Sequence, residues 1–90
     1  MAAAFTETSG SLSNSAVAIA AKADRRCLLI GNTSDTVMTV RFGGGVATAA
    51  IGIPIPAGTA FILRRDDPVA DQAASLFCAG ASKTYTIYEA

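Results

Sequence analysis

The stretch "TVMTVRFG" places Met38, Val40 and Phe42 at alternate positions, with Val37, Thr39 and Arg41 between them. Successive side chains of an extended chain point to opposite faces. Period two built from β-branched and aromatic residues therefore predicts a half-buried strand. The pattern recurs. In "GTAFILRR", Phe61 and Leu63 share a face opposite Ala60, Ile62 and Arg64. In "KTYTIYEA", Tyr85 and Ile87 face one way and Thr84, Thr86 and Tyr88 the other. "RCLLIGN" and "ASLFCAG" are compact apolar runs of strand length.

Turn chemistry separates these runs. "NTSD" offers Asn, Ser and Asp, which bond their own backbone nearby. "PAG" sets up a turn at Pro56-Ala57-Gly58. "RRDDP" is a charged turn whose proline disfavours helix in the residue before it. No segment sustains a 3.6-residue period. Alanine propensity favours helix over Ala16–Ala23, but the segment is short and carries Val17 and Ile19, so a strand is expected. The reading is all-β: about six or seven strands with turn signals every 8–12 residues or so, forming a small antiparallel β-sandwich or jelly-roll-like barrel.

Residues 1–14 differ from the rest. "MAAAFTETSGSLSN" holds only Phe5 and Leu12 as large apolar groups besides its first methionine. Such a segment buries too little to offset the entropy of ordering. It is expected to be a flexible N-terminal arm, with residues 15–90 as the sandwich domain. In the domain, "CLLI" is apolar on both faces. A chain of 90 residues has one core, so a strand needs one apolar face. A second apolar face implies a second contact, most simply with other subunits.

Composition limits the function classes. The chain is 51% hydrophobic and 16% charged, with seven basic and seven acidic residues. That balance builds neither the basic field of nucleic-acid binding nor a polybasic membrane patch. No apolar run approaches the roughly 18–20 residues of a membrane helix, and the start lacks the pattern of a secretory signal. Production and retention in the cytosol are the default expectation.

Without histidine, Ser-His-Asp and Cys-His catalysis is unavailable, and zinc lacks a ligand set. No metal or cofactor is expected, and no enzyme activity. Cys27 and Cys78 read as buried free thiols. A disulfide would require a Cα separation below about 7 Å. Asp66 and Asp67 read as a solvated turn with Arg64 and Arg65. Asp24, Arg25 and Arg26 read as a charged edge before a strand.

The run "RFGGGVATAAIGIPIPAG" tests for a phosphate loop. A Walker loop needs a lysine after its last glycine, and Val46-Ala47-Thr48 follows here. Gly52, Pro54 and Pro56 oppose the helix whose N-terminus would hold an anion. The glycines instead supply backbone shapes for a turn, followed by a neutral excursion suited to lying against another protein.

The order "RCLLIGNTSDTVMTVRFGG", "ATAAIGIPIPAGTAFIL", "ASLFCAGASKTYTIYEA" resembles small virion structural proteins of tailed bacteriophages, over roughly residues 25–89. The resemblance implies a non-enzymatic capsid decoration or cement protein. Such a protein binds the outer head across capsomer joints. Its partners would be the major capsid protein or another virion protein, and copies of itself, with a trimer favoured at three-fold positions. The implied location is the phage particle, with synthesis in the host cytoplasm. The alternative is a tail- or fibre-associated structural or host-recognition module, for which Tyr85 and Tyr88 are the candidate aromatics. Contacts are expected from Phe5, Leu12, Phe42, Val46, Ile51, Ile53 and Ile55.

Overall fold

The computed structural model describes residues 6–21, 25–43, 45–64 and 72–90. They form eight strands: β1 (Thr6–Leu12), β2 (Ser15–Ile19), β3 (Leu28–Asn32), β4 (Met38–Phe42), β5 (Ile53–Ile55), β6 (Ala60–Leu63), β7 (Ala74–Cys78) and β8 (Lys83–Glu89). Two four-stranded sheets result, ordered β1-β8-β3-β6 and β2-β7-β4-β5. Every pairing is antiparallel.

The topology has a simple origin. β1 pairs with β8, β2 with β7, β3 with β6 and β4 with β5. The chain is one long hairpin whose tip is the β4–β5 connection. Rolling the hairpin adds the β3–β8 and β4–β7 ladders. This is the jelly-roll form of the β-sandwich, and the expected all-β sandwich is the fold.

Alternation along each strand fills the space between the sheets. Leu28 and Ile30 of β3, Met38 and Val40 of β4, and Leu76 and Cys78 of β7 are fully buried. Ile55, Leu63, Tyr85 and Ile87 complete the core with Leu12 and Ile19. Phe42 and Phe61 close one border, their ring centroids 6.2 Å apart. Burying each large aliphatic side chain stabilises the fold by about 1.5–3 kcal/mol.

Two polar side chains pin the roll. Asn32 is buried. Its amide donates to the carbonyls of Thr36 at 2.8 Å and Ile55 at 2.9 Å. Its carbonyl oxygen accepts from the Ser34 amide and hydroxyl. One residue thus shapes the β3–β4 turn and ties it to β5. The backbone of Asn32 also holds the Pro56–Thr59 turn, where Gly58 takes φ 73°. That is the glycine position of a type II turn.

Arg25 is the second pin. Its guanidinium donates to the Glu89 carboxylate at 3.0 Å, to the Ala20 carbonyl at 3.0 Å and to the Gln72 carbonyl at 2.5 Å. It joins the ends of β2 and β8 to the start of β7. The charged edge expected at Arg25 is therefore a buried clamp. Arg26 alone of the described residues there is exposed.

The expected arm changes as well. Residues 6–12 are a strand, paired to β8 along their whole length. Side-chain burial was the wrong measure for this segment. The edge of β8 offers backbone partners that depend little on what the side chains bury. Phe5 lies outside the described residues, as do Asp24, Asp66 and Asp67.

Candidate assembly surface

The described residues of the hairpin tip, Gly43 and residues 45–52, do not project into solvent. They fold back over the outer face of the β2-β7-β4-β5 sheet. Gly43 turns the chain with φ 94°. The Arg41 side chain lies against Gly45, where a Cβ would collide with it, and donates to the Val46 carbonyl at 3.2 Å. The Ala47 amide donates to Ser75 Oγ at 3.0 Å, and Ala47 is buried. Thr48 and Ile51 exchange backbone hydrogen bonds, and Thr48 Oγ1 accepts from the Ala50 and Ile51 amides. Gly52 sits tightly on β4, at φ 136°. Gly43 and residues 45–52 thus form a strap held by backbone and side-chain hydrogen bonds.

The strap's outer side is apolar. Val46 is 64% exposed, Ile51 48% and Ile53 45%. Val37, just before β4, is 50% exposed. A shallow groove of about 190 Å³ lies between the strap and the end of β2, lined by Ala18, Ile19, Val46 and Ala74 among others. Of the expected contact residues, Val46, Ile51 and Ile53 are exposed; Val46 and Ile51 lie on the strap, while Ile53 stands opposite core-facing Val40 in the β4–β5 ladder. Leu12 and Ile55 belong to the core, and Phe42 packs against it. Their inward register decides this: Ile55 stands opposite Met38 and Leu12 opposite Lys83 at the sheet border.

The other sheet presents a second surface. Glu7, Tyr88, Leu29 and Ile62 form one row across its outer face. Leu29 is half-buried and Ile62 45% exposed. Tyr88 donates to Glu7 at 2.8 Å. That bond, and then the carboxylate's charge, holds the phenol above its ordinary pKa. Tyr85 is buried, which removes half of the aromatic pair suggested for host recognition.

Among the described residues, nothing pairs with the outer edges of β1, β6, β2 or β5. Proteins usually blunt such edges with charge, proline or bulges. Pro54 serves β5. β6, "AFIL", and β2, "SAVAI", carry no charge at all.

Both cysteines are free. Cys78 is fully buried, and its thiol donates to the Ala79 carbonyl at 3.4 Å. Burial pushes that thiol's pKa up. Cys27 is half-buried and pairs with Ala90 through the backbone. Lys83 meets Asp35 at 2.6 Å; this hydrogen bond, followed by that from Thr36, holds the Asp35 carboxyl below its ordinary range. Among the described residues, no three His, Cys, Asp or Glu side chains gather where they could hold a metal ion, and no helix is long and apolar enough to cross a membrane.

The geometry defines an antiparallel jelly-roll domain with exposed apolar side chains and, among the described residues, open sheet edges. No protein family and no curated protein matches the chain. Two solved structures share its fold. One is from the Bacillus endospore appendages, described as a novel family of disulfide-linked pili. It is 20% identical with a TM-score of 0.53, covering 96% of this chain and 82% of that one. The other is the crystal structure of PirA, 18% identical with a TM-score of 0.53, covering 100% of this chain and 96% of that one.

These neighbours overturn the bacteriophage reading. Neither is described as a capsid decoration protein, so the cement role, the capsid partner and the virion location are withdrawn. The structure explains why the resemblance misled. Two elements inside the stretches that carried it, Asn32 with Ser34 and the Pro56–Thr59 turn, are fold-closing contacts of the roll, whereas Arg26, which opens the first stretch, is exposed. The two contacts mark how the chain folds, and any jelly roll closed in this way has use for them.

Proposed function

We propose that this protein is a structural, non-enzymatic subunit that assembles with copies of itself into a surface appendage of the pilus class. The observation that carries the proposal is the pair of uncharged edges, β2 and β6, left unpaired among the described residues of a sandwich that also exposes large apolar side chains. An open edge offers unpaired backbone donors and acceptors to another chain. Exposed Val37, Val46, Ile51, Ile53 and Ile62 add area that self-association would remove from water. The fold shared with a disulfide-linked pilus subunit supports the same reading. The fibre-associated part of the earlier alternative agrees with it.

A lysine on an edge strand blocks pairing. Ala18→Lys on β2 and Ile62→Lys on β6 fall at exposed positions. In sedimentation velocity the native chain should form larger species as concentration rises. The double variant should assemble less at every concentration, with an unchanged circular dichroism spectrum. A native chain that sediments only as a monomer would defeat the proposal.

A further inference from the structure

β1 differs in kind from the other strands. It pairs with β8 alone. Leu12 is its sole contribution to the core, and Thr6, Glu7, Thr8, Ser9 and Ser11 are exposed. Its attachment is a backbone ladder, supplemented by the Tyr88–Glu7 bond and the fit of Gly10 beneath Tyr85. A second copy of residues 6–12 would make every one of these contacts equally well.

The hinge favours release. Only Ser13 and Asn14 separate β1 from β2, and Asn14 is held at φ 52°. A side chain in this left-handed region is strained, asparagine less so than most. Opening Asn14 to an extended conformation removes the strain and aligns residues 6–19 into one run, about 45 Å long at 3.3 Å per residue. That length carries β1 clear of its own sandwich. Short strained hinges are a known route to exchange of identical elements between protomers.

We infer that β1 is an exchangeable strand, and that residues 6–12 of one copy fill the β8 edge of the next. The inference rests on the self-assembly reading above and adds a strand-exchange linkage to its edge contacts. Where each copy donates its strand to one neighbour and accepts one from another, the contact is heterologous and propagates into an open chain. The closed single chain is the same structure with the slot filled from within.

Ser11 and Thr84 face each other across the β1–β8 ladder, and both are exposed. One chain carries Ser11→Cys and another Thr84→Cys, both with Cys27→Ser. They are refolded together, allowed to assemble and mildly oxidised. Exchange predicts a disulfide between the two different chains in the assembled fraction. In the native-cysteine chain, Asn14→Pro forbids positive φ and should raise the assembled fraction about fivefold or more. Asn14→Gly relieves the closed hinge and should lower it. If polymers form but the mixed chains never cross-link, and a chain carrying both cysteines closes only on itself, exchange is overturned and the self-assembly reading stands. If no polymer forms under any condition, both fall.

Discussion

Gly10 lies directly beneath Tyr85: a Cβ on Gly10 would stand 2.6 Å from the Tyr85 hydroxyl. The two residues are partners in the β1–β8 ladder, and the tyrosine is buried. Its ring spans the space a side chain would need. Gly10→Ala therefore overpacks the site, at a cost of about 1–3 kcal/mol. The loss should fall on β1. Hydrogen exchange should speed up at residues 6–12 and stay unchanged in β3, β4 and β7. Uniform acceleration throughout would show that β1 is not a separable element.

The Arg25 clamp should be among the most sensitive points of the fold. Its side chain is 1% exposed and that of Glu89 12%. Removing one partner of a buried pair costs about 3–5 kcal/mol, a large share of the 5–15 kcal/mol or so that holds a typical domain. Urea denaturation of Arg25→Ala should register that loss. Arg25→Met with Glu89→Leu should recover only part of it, because the Ala20 and Gln72 carbonyls stay without their donor.

Asn32→Ala removes a different kind of support. It strands the Ile55 carbonyl and the Ser34 amide, and leaves the Thr36 carbonyl with the Ser34 hydroxyl alone. An interior group left unsatisfied costs about 1–3 kcal/mol, so a total loss of at least about 2 kcal/mol is expected by the same denaturation measurement. Asn32→Asp keeps the acceptor for Ser34 and loses both donated bonds. It should be no more stable than the alanine variant at neutral pH.

Three shifted groups bracket the pH range of greatest stability. The Asp35 carboxyl is lowered by Lys83 and then Thr36. Its contribution is present above the ordinary carboxylate range and is lost as pH falls through the lowered value. Tyr88, raised by Glu7, and Cys78, raised by burial, have the opposite sign. Their contributions are complete below the ordinary phenol and thiol values and are lost as pH rises through the raised ones. Thermal unfolding should thus show a plateau that falls away at both ends. Tyr88→Phe should remove the β1-specific part of the alkaline loss, read by hydrogen exchange at residues 6–12.

The outer side of the strap should matter for assembly and little for folding. Val46→Asp with Ile51→Asp alters two exposed positions. Covering one such side chain stabilises a contact by up to about 1.5–3 kcal/mol. The concentration needed for assembly should rise about tenfold or more, with the denaturation midpoint unchanged. An unaltered assembly threshold would exclude the strap from the interface.

The sandwich was legible because the strands obey period two. Met38, Val40, Tyr85 and Ile87 all point where alternation places them. β2 followed from Val17 and Ile19 despite its alanines. β1 was not legible, since a strand docked by its backbone leaves little apolar signal. Arg25 was missed for a related reason: its partners come from the far end of the chain and from two backbone carbonyls. Val46 and Ile51 are exposed, as a low-charge run without core register allows. Leu12 and Ile55 failed that reasoning, because their register turned them inward.

The central claim is that copies of this chain build an ordered fibre. Electron microscopy of the purified protein over a range of concentrations tests it most directly. The account predicts filaments of uniform width with a regular axial repeat above a threshold concentration. Separate 9.1 kDa particles at every concentration, with no filaments, would contradict it.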